Sequence, residues 1–197
     1  MALEKLSTPT EKYITIVNGL WAERLPPGTT GTDVYTRTLE KGDNAGMEVT
    51  ERRMDGYSGR IVGASIEDSR FGSVLNIKVD DDERVVRLQL PVNSAFFDAF
   101  AKRIPNLDEG AWVTFGLFTD KEQDRTRLYM KQEKEKLSPA FTREEPNGLP
   151  PAEKKTIQGK EKWCFEEQKN FLYNLVNEWC NAWTDDITLD LDEEVPF

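Results

Sequence analysis

A chain of 197 residues has room for one domain with appendages, and 38% hydrophobic against 31% charged residues points to a modest core with polar extensions. The net charge of −10 argues at first sight against nucleic acid as a partner. The absence of any histidine removes the commonest general base and metal ligand, and two cysteines are too few for a structural zinc site.

Residues 1–12 are polar and read as a flexible N-terminus. Tyr13–Val17 is expected to be a short strand, and Pro26, Pro27, Gly28 and Gly31 mark a loop after Trp21. Weak alternation over Asp33–Leu39 and Met47–Arg53, around K-G-D-N-A-G, predicts a hairpin. The stretch 57–66, with its two inner glycines, predicts a bent strand. In Phe71–Val79 the residues Leu75, Ile77 and Val79 share one parity, and in Arg84–Leu90 so do Val86, Leu88 and Leu90. Asn93 or Ser94 can cap a helix to about Arg103, with Phe96, Phe97, Phe100 and Ile104 on its apolar side and Pro105 as its stop. Ala111–Thr119 and Arg125–Lys131 complete the strands, with Val113, Phe115, Leu117, Leu128 and Met130 pointing inward.

Residues 133–160 are charged and carry four prolines, which predicts a linker. Residues 161–183 predict an amphipathic helix: Phe165, Leu172, Val176, Trp179 and Trp183 form a stripe that Trp163, Phe171 and Leu175 widen. That stripe needs a cover, which is the sheet, a second copy (a homodimer) or a partner. Cys164 and Cys180, sixteen positions apart on one such helix, lie about 24 Å apart, too far for a disulfide. Reduced cysteines, a charged start and no long apolar run predict a cytoplasmic protein with no membrane span. Residues 184–197 carry six carboxylates and no cation, which leaves −4 for the rest of the chain and lets a locally basic face hide behind an acidic total.

The outward strand positions are Arg60, Lys78, Arg87, Trp112, Phe118, Arg127, Tyr129 and Lys131. Cations for phosphates and flat rings for bases are what single-stranded nucleic acid requires. The plain alternative is that cations on the solvent side of strands are ordinary, with Trp112 or Phe118 covered by the C-terminal helix or the N-terminal hairpin. Arg52, Arg53, Arg70, Trp21 and Tyr35 are weaker candidates. The run Asp80–Glu83 lacks the glycine and spaced oxygens of a calcium loop and reads as a solvated turn. No phosphate-cradling loop or nucleophile motif stands in the chain, so neither catalysis nor a cofactor or metal is expected.

The chain ends D-L-D-E-E-V-P-F. Disorder explains the acids but not the apolar residues among them: Phe197 offers a ring beside a terminal carboxylate, which an apolar pocket rimmed by arginine or lysine could hold. This end resembles the acidic C-terminal tip of the single-stranded-DNA-binding proteins of bacteria and their phages. The order of three strands, a helix and two strands in 57–132 is similar to that family's OB-fold. The implied architecture is mainly β: a five-stranded OB-fold barrel with a helix between strands three and four, an N-terminal β extension within 13–132, and a C-terminal helix. The hairpin and the helix make it more like a phage replicative protein than the bacterial tetramers.

What the resemblance implies is a protein without enzymatic activity that coats single-stranded DNA during replication, recombination or repair. Asp190, Asp192, Glu193, Glu194, Pro196 and Phe197 would recruit polymerases, helicases or nucleases, and the tail would compete with DNA for the cationic face. Two rival readings stand beside it. One is an acidic decoy that mimics DNA to occupy a host nuclease or other DNA-binding protein, which would be negative over its folded surface too. The other is a nucleic-acid enzyme with carboxylate-bound magnesium, which needs acids converging in a cleft.

Overall fold

The computed structural model describes residues 12–40, 44–70, 72–120, 122–157 and 159–188, with residues 157 and 184–188 by their backbone alone. Period-two alternation builds most of it. Strand β5 (Gly56–Ser69) is fourteen residues long and pairs antiparallel with both β6 (Gly72–Asp80) and β8 (Trp112–Asp120). Its register slips between Ile61 and Gly63, so that Val62 has no opposite number and the strand bends there. Strand β7 (Val85–Pro91) follows β6, and β9 (Arg125–Gln132) follows β8.

The inward parities expected from the sequence are all buried: Leu75, Ile77, Val79, Val86, Leu88, Leu90, Val113, Phe115, Leu117, Leu128 and Met130. Each such side chain contributes about 1.5–3 kcal/mol through removal from water. Helix α1 (Ala95–Ala101) closes one end of this core with Phe97 and Phe100, and the Ser94 hydroxyl accepts the Phe97 amide at 3.2 Å as its N-cap.

The N-terminal extension holds four strands rather than three: β1 (Lys12–Val17), β2 (Leu20–Leu25), β3 (Val34–Thr38) and β4 (Glu48–Met54). It does not sit beside a closed barrel. The described residues form one open mixed sheet of ten strands in the order β10-β9-β8-β5-β6-β7-β1-β2-β4-β3. This overturns the five-stranded OB-fold barrel. Closing β5–β9 into a ring would require the outer members, β7 and β9, to bond each other. Strand β1 occupies the outer edge of β7 in parallel register, Tyr13 opposite Arg87, and β10 (Glu135–Lys136) occupies that of β9. Mainly β architecture, a helix between the third and fourth of these strands and a C-terminal helix are all present.

The sheet nevertheless curls. Trp21, wholly buried on β2, donates its indole N–H to the Phe115 carbonyl on β8 at 3.0 Å, and the β1–β2 turn at Gly19 meets Thr119 and Thr126.

The segment read as a linker is ordered in two pieces. Leu137 and Phe141 are buried, and Arg103 donates to the Leu137 carbonyl at 3.0 Å. Strands β11 (Glu153–Ile157) and β12 (Lys160–Cys164) then form a separate hairpin. Helix α2 accordingly starts at Glu166, not at 161, and runs to Thr188. Trp163 and Cys164 fall on β12, outside the helical stripe; Cys164 and Cys180 are not bonded to each other. Burial pushes the Cys180 thiol up to about 12, the behaviour of an inert packing residue.

The stripe of α2 covers its own molecule. Leu172, Val176 and Cys180 are buried, Trp179 meets Phe100 edge-on at 5.5 Å, and Phe171 meets Phe141 at 5.4 Å. Among the described residues no helix is long and apolar enough to cross a membrane.

Candidate nucleic-acid interface

Residues directly opposite in an antiparallel pair share a face, so the ladder registers decide which outward residues meet. Arg60 on β5 lies opposite Trp112 on β8. One step along, Ser58, Thr114 and Lys131 form a row over β5, β8 and β9. The next row is Gly56, Gly116 and Tyr129, and Phe118 faces Arg127 beyond it. Six of the eight candidates therefore form one patch on the side of the sheet away from the core. The other two lie past the bulge on that same side, where Gly63, Lys78, Arg87 and Tyr13 make a row over β5, β6, β7 and β1. All eight share a face.

The rings are held by local packing that leaves them accessible. Tyr129 lies across Gly116, where a Cβ would overlap its ring, so only glycine seats it there. Phe118 stands 6.2 Å from Tyr129 and is 47% exposed, and Lys131 reaches to 5.9 Å from the tyrosine ring. The Arg60 guanidinium lies 5.3 Å from the half-buried Trp112 ring. Among its described residues helix α2 packs on the core through Leu172, Val176 and Cys180, and Phe118 is open to solvent. Tyr13 went unmarked in the sequence; it is 44% exposed and lies 5.7 Å from the Arg87 guanidinium. Its parity against Ile14 was legible, but its parallel pairing with β7 was not.

Three of the cations have acidic neighbours. Arg60 meets Asp82 at 2.7 Å, Arg87 meets Glu67 at 3.1 Å, and Arg127 meets Asp120 at 3.7 Å. The Arg60 and Arg127 side chains are about half exposed, and exposed pairs contribute about 0–1 kcal/mol, so phosphate can displace the carboxylate there; the Arg87 side chain is largely buried. Among the described residues Lys78 and Lys131 form no ion pair within 4 Å.

The weaker candidates have other employment. Arg52 reaches buried Glu23 at 3.5 Å, Arg53 lies over Tyr35 at 4.8 Å and beside Glu51, and Trp21 is core.

The Asp80–Glu83 turn is occupied by its own backbone. Asp80 accepts the Asp82 amide, while Asp81 accepts those of Glu83 and Arg84 and the Tyr57 hydroxyl. Burial works to raise Asp81, but these donors outweigh it and hold the carboxyl below its ordinary value. Among the described residues no group of three His, Cys, Asp or Glu is placed to hold a metal ion. The tip residues Asp190, Asp192, Glu193, Glu194, Pro196 and Phe197 lie outside the described residues.

Comparison with protein-family models, with curated proteins and with solved structures gave no match to this chain.

Proposed function

We propose that the outer face of β5, β8 and β9, continued by β6, β7 and β1, binds single-stranded DNA without sequence preference. The observation that carries this reading is the contiguous patch of Arg60, Trp112, Lys131, Tyr129, Phe118 and Arg127. Its flat rings can stack bases of any identity, each worth about 1–3 kcal/mol, and its cations answer the phosphates between them. The chain's role in this reading is binding, not catalysis: it coats single strands exposed in replication or recombination. Lys78 and Arg87 extend the track past the bulge, and Tyr13 adds a ring to it.

The acidic tip resembles that of single-stranded-DNA-binding proteins, and its proposed task is to recruit replication and recombination proteins through Pro196 and Phe197. Its carboxylates compete with phosphate for the face. The test is fluorescence anisotropy of labelled single- and double-stranded oligonucleotides with the full chain and with a chain lacking residues 189–197, which leaves α2 whole. Salt-weakened binding, stronger for single strands and stronger again without the tail, is expected. No salt-dependent binding by the shortened chain would sink the proposal.

A further inference from the structure

We infer that the β11–β12 hairpin is a second contact for the same single strand: an arm that stacks a base on Trp163 and takes backbone phosphate on Lys155, Lys160 and Lys162. The inference rests on the sheet face being a single-strand surface.

Among the described residues the hairpin bonds to no strand of the main sheet. Its register sets Lys155 directly opposite Lys162. Like charges opposed across a ladder destabilise it, and a two-stranded hairpin has little stability to spare. Lys160 follows Lys162 on the same parity, and Glu153 lies 3.8 Å from Lys155. Within the hairpin this face carries three lysines and one glutamate.

The opposite face pairs Lys154 with Trp163. Trp163 is 59% exposed, with the Lys154 ammonium 5.4 Å from its ring centroid and bonded also to Glu161 at 3.3 Å. Residues 153–164 hold four lysines and two glutamates, a net +2 in a chain of −10. A cation poised beside an open indole repeats the arrangement of Arg60 with Trp112.

Two features choose the occupant. An apolar partner or a second copy would use Trp163 but would leave lysine facing lysine. A single strand passing over the edge of the narrow two-stranded hairpin, with flat bases and a polyanionic backbone, uses both faces. The arm is rooted beyond the end of β7, the strand that carries Arg87: Trp163 and Phe165 line a cleft with Asn93, two residues past β7, and with Glu166 and Lys169 of α2.

The test uses the full chain with labelled oligothymidylates, one short and one long enough to extend beyond the sheet, against Trp163→Ala and the double variant K155Q/K162Q. These residues are exposed, and circular dichroism checks that the fold persists. On the long strand, Trp163→Ala is expected to weaken binding about tenfold. The double lysine variant is expected to reduce the slope of log affinity against log salt by about 1.4, at about 0.7 per phosphate. The short strand should show neither change. If the parent chain binds no single strand, the sheet-face reading fails and this inference with it. If the parent binds and Trp112→Ala weakens it while the hairpin variants keep affinity and slope, the hairpin inference alone is overturned. It is overturned too if the hairpin effects vanish once residues 189–197 are removed, since the arm would then serve the tail.

Discussion

Two groups of cations on this sheet have opposite fates. Around Glu23, which has no exposed surface, Arg84 bonds at 2.7 Å, Lys12 at 3.2 Å and Arg52 at 3.5 Å. Around Trp112 and Tyr129, Arg60, Lys131 and Arg127 lie over or beside rings, and the acids that the two arginines meet, Asp82 in a turn and Asp120 at the end of β8, both reach solvent. The first group ties β1, β2, β4 and the β6–β7 turn together. The second is available to an incoming anion. What separates them is whether the nearest carboxylate is itself buried: a buried acid without its cations is too costly to release them, while a solvated acid is easily exchanged.

The comparison breaks most visibly at the rings. Replacing Trp112 and Tyr129 together by alanine should remove about 2–6 kcal/mol of single-strand binding, at about 1–3 per ring. The unfolding midpoint in denaturant should barely move, because neither ring belongs to the core. Unchanged affinity would show that the rings are ornament to another surface.

Glu23→Gln should do the reverse. It leaves Arg84 beside a neutral group and should lower stability by about 2–3 kcal/mol, less than a fully buried pair because Lys12 and Arg52 reach water. Burial works to raise the Glu23 carboxyl, but Arg84 and Lys12 outweigh it and hold it below its ordinary value. A depressed folded value means that the stabilisation is complete above the unfolded value, about 4.3, and is lost as pH falls through the folded one. Acid titration followed by tryptophan fluorescence should therefore show the parent losing stability in that window and the glutamine variant losing less. Parallel curves would remove Glu23 from the account.

A smaller effect sharpens the view of how the rings are seated. Gly116→Ala displaces the Tyr129 ring, and about 1 kcal/mol of single-strand binding is expected to go with it, although a strand accepts alanine readily. Binding that matches the parent would mean that the ring's seat does not matter. The smallest effect is at one cation: Lys131→Gln should lower the salt slope by about 0.7, as one phosphate contact does, with little loss of affinity in high salt. A salt series of anisotropy titrations reads it directly.

Much of the central region was legible because half-buried strands alternate. Leu75, Ile77 and Val79 against Asn76 and Lys78 announce their own faces, and so the outward candidates met on one side. Closure was not legible. It depends on which strand takes the free edge of β7, and the parallel pairing of Tyr13 with Arg87 spans more than seventy positions with no local mark. Strand β2 escaped notice for a related reason. In L-W-A-E-R-L the glutamate reads as a solvent residue, and its burial is intelligible only with Arg84, sixty-one positions away. The β11–β12 hairpin was hidden by composition: a stretch of lysines after prolines has the profile of a linker, and pairing Lys155 with Lys162 opposes electrostatics. The helical stripe was correct from Phe171 onward but began too early, because Trp163 and Phe165, both exposed and ahead of Glu166, fit the spacing by coincidence.

The most direct test of the central claim is ultraviolet crosslinking of the full chain to oligothymidylate, with the modified peptides sequenced. Adducts on Trp112, Phe118 or Tyr129, in the peptides of β8 and β9, are the expected result. Crosslinked protein with no modification on either strand would place the nucleic acid elsewhere and contradict the account.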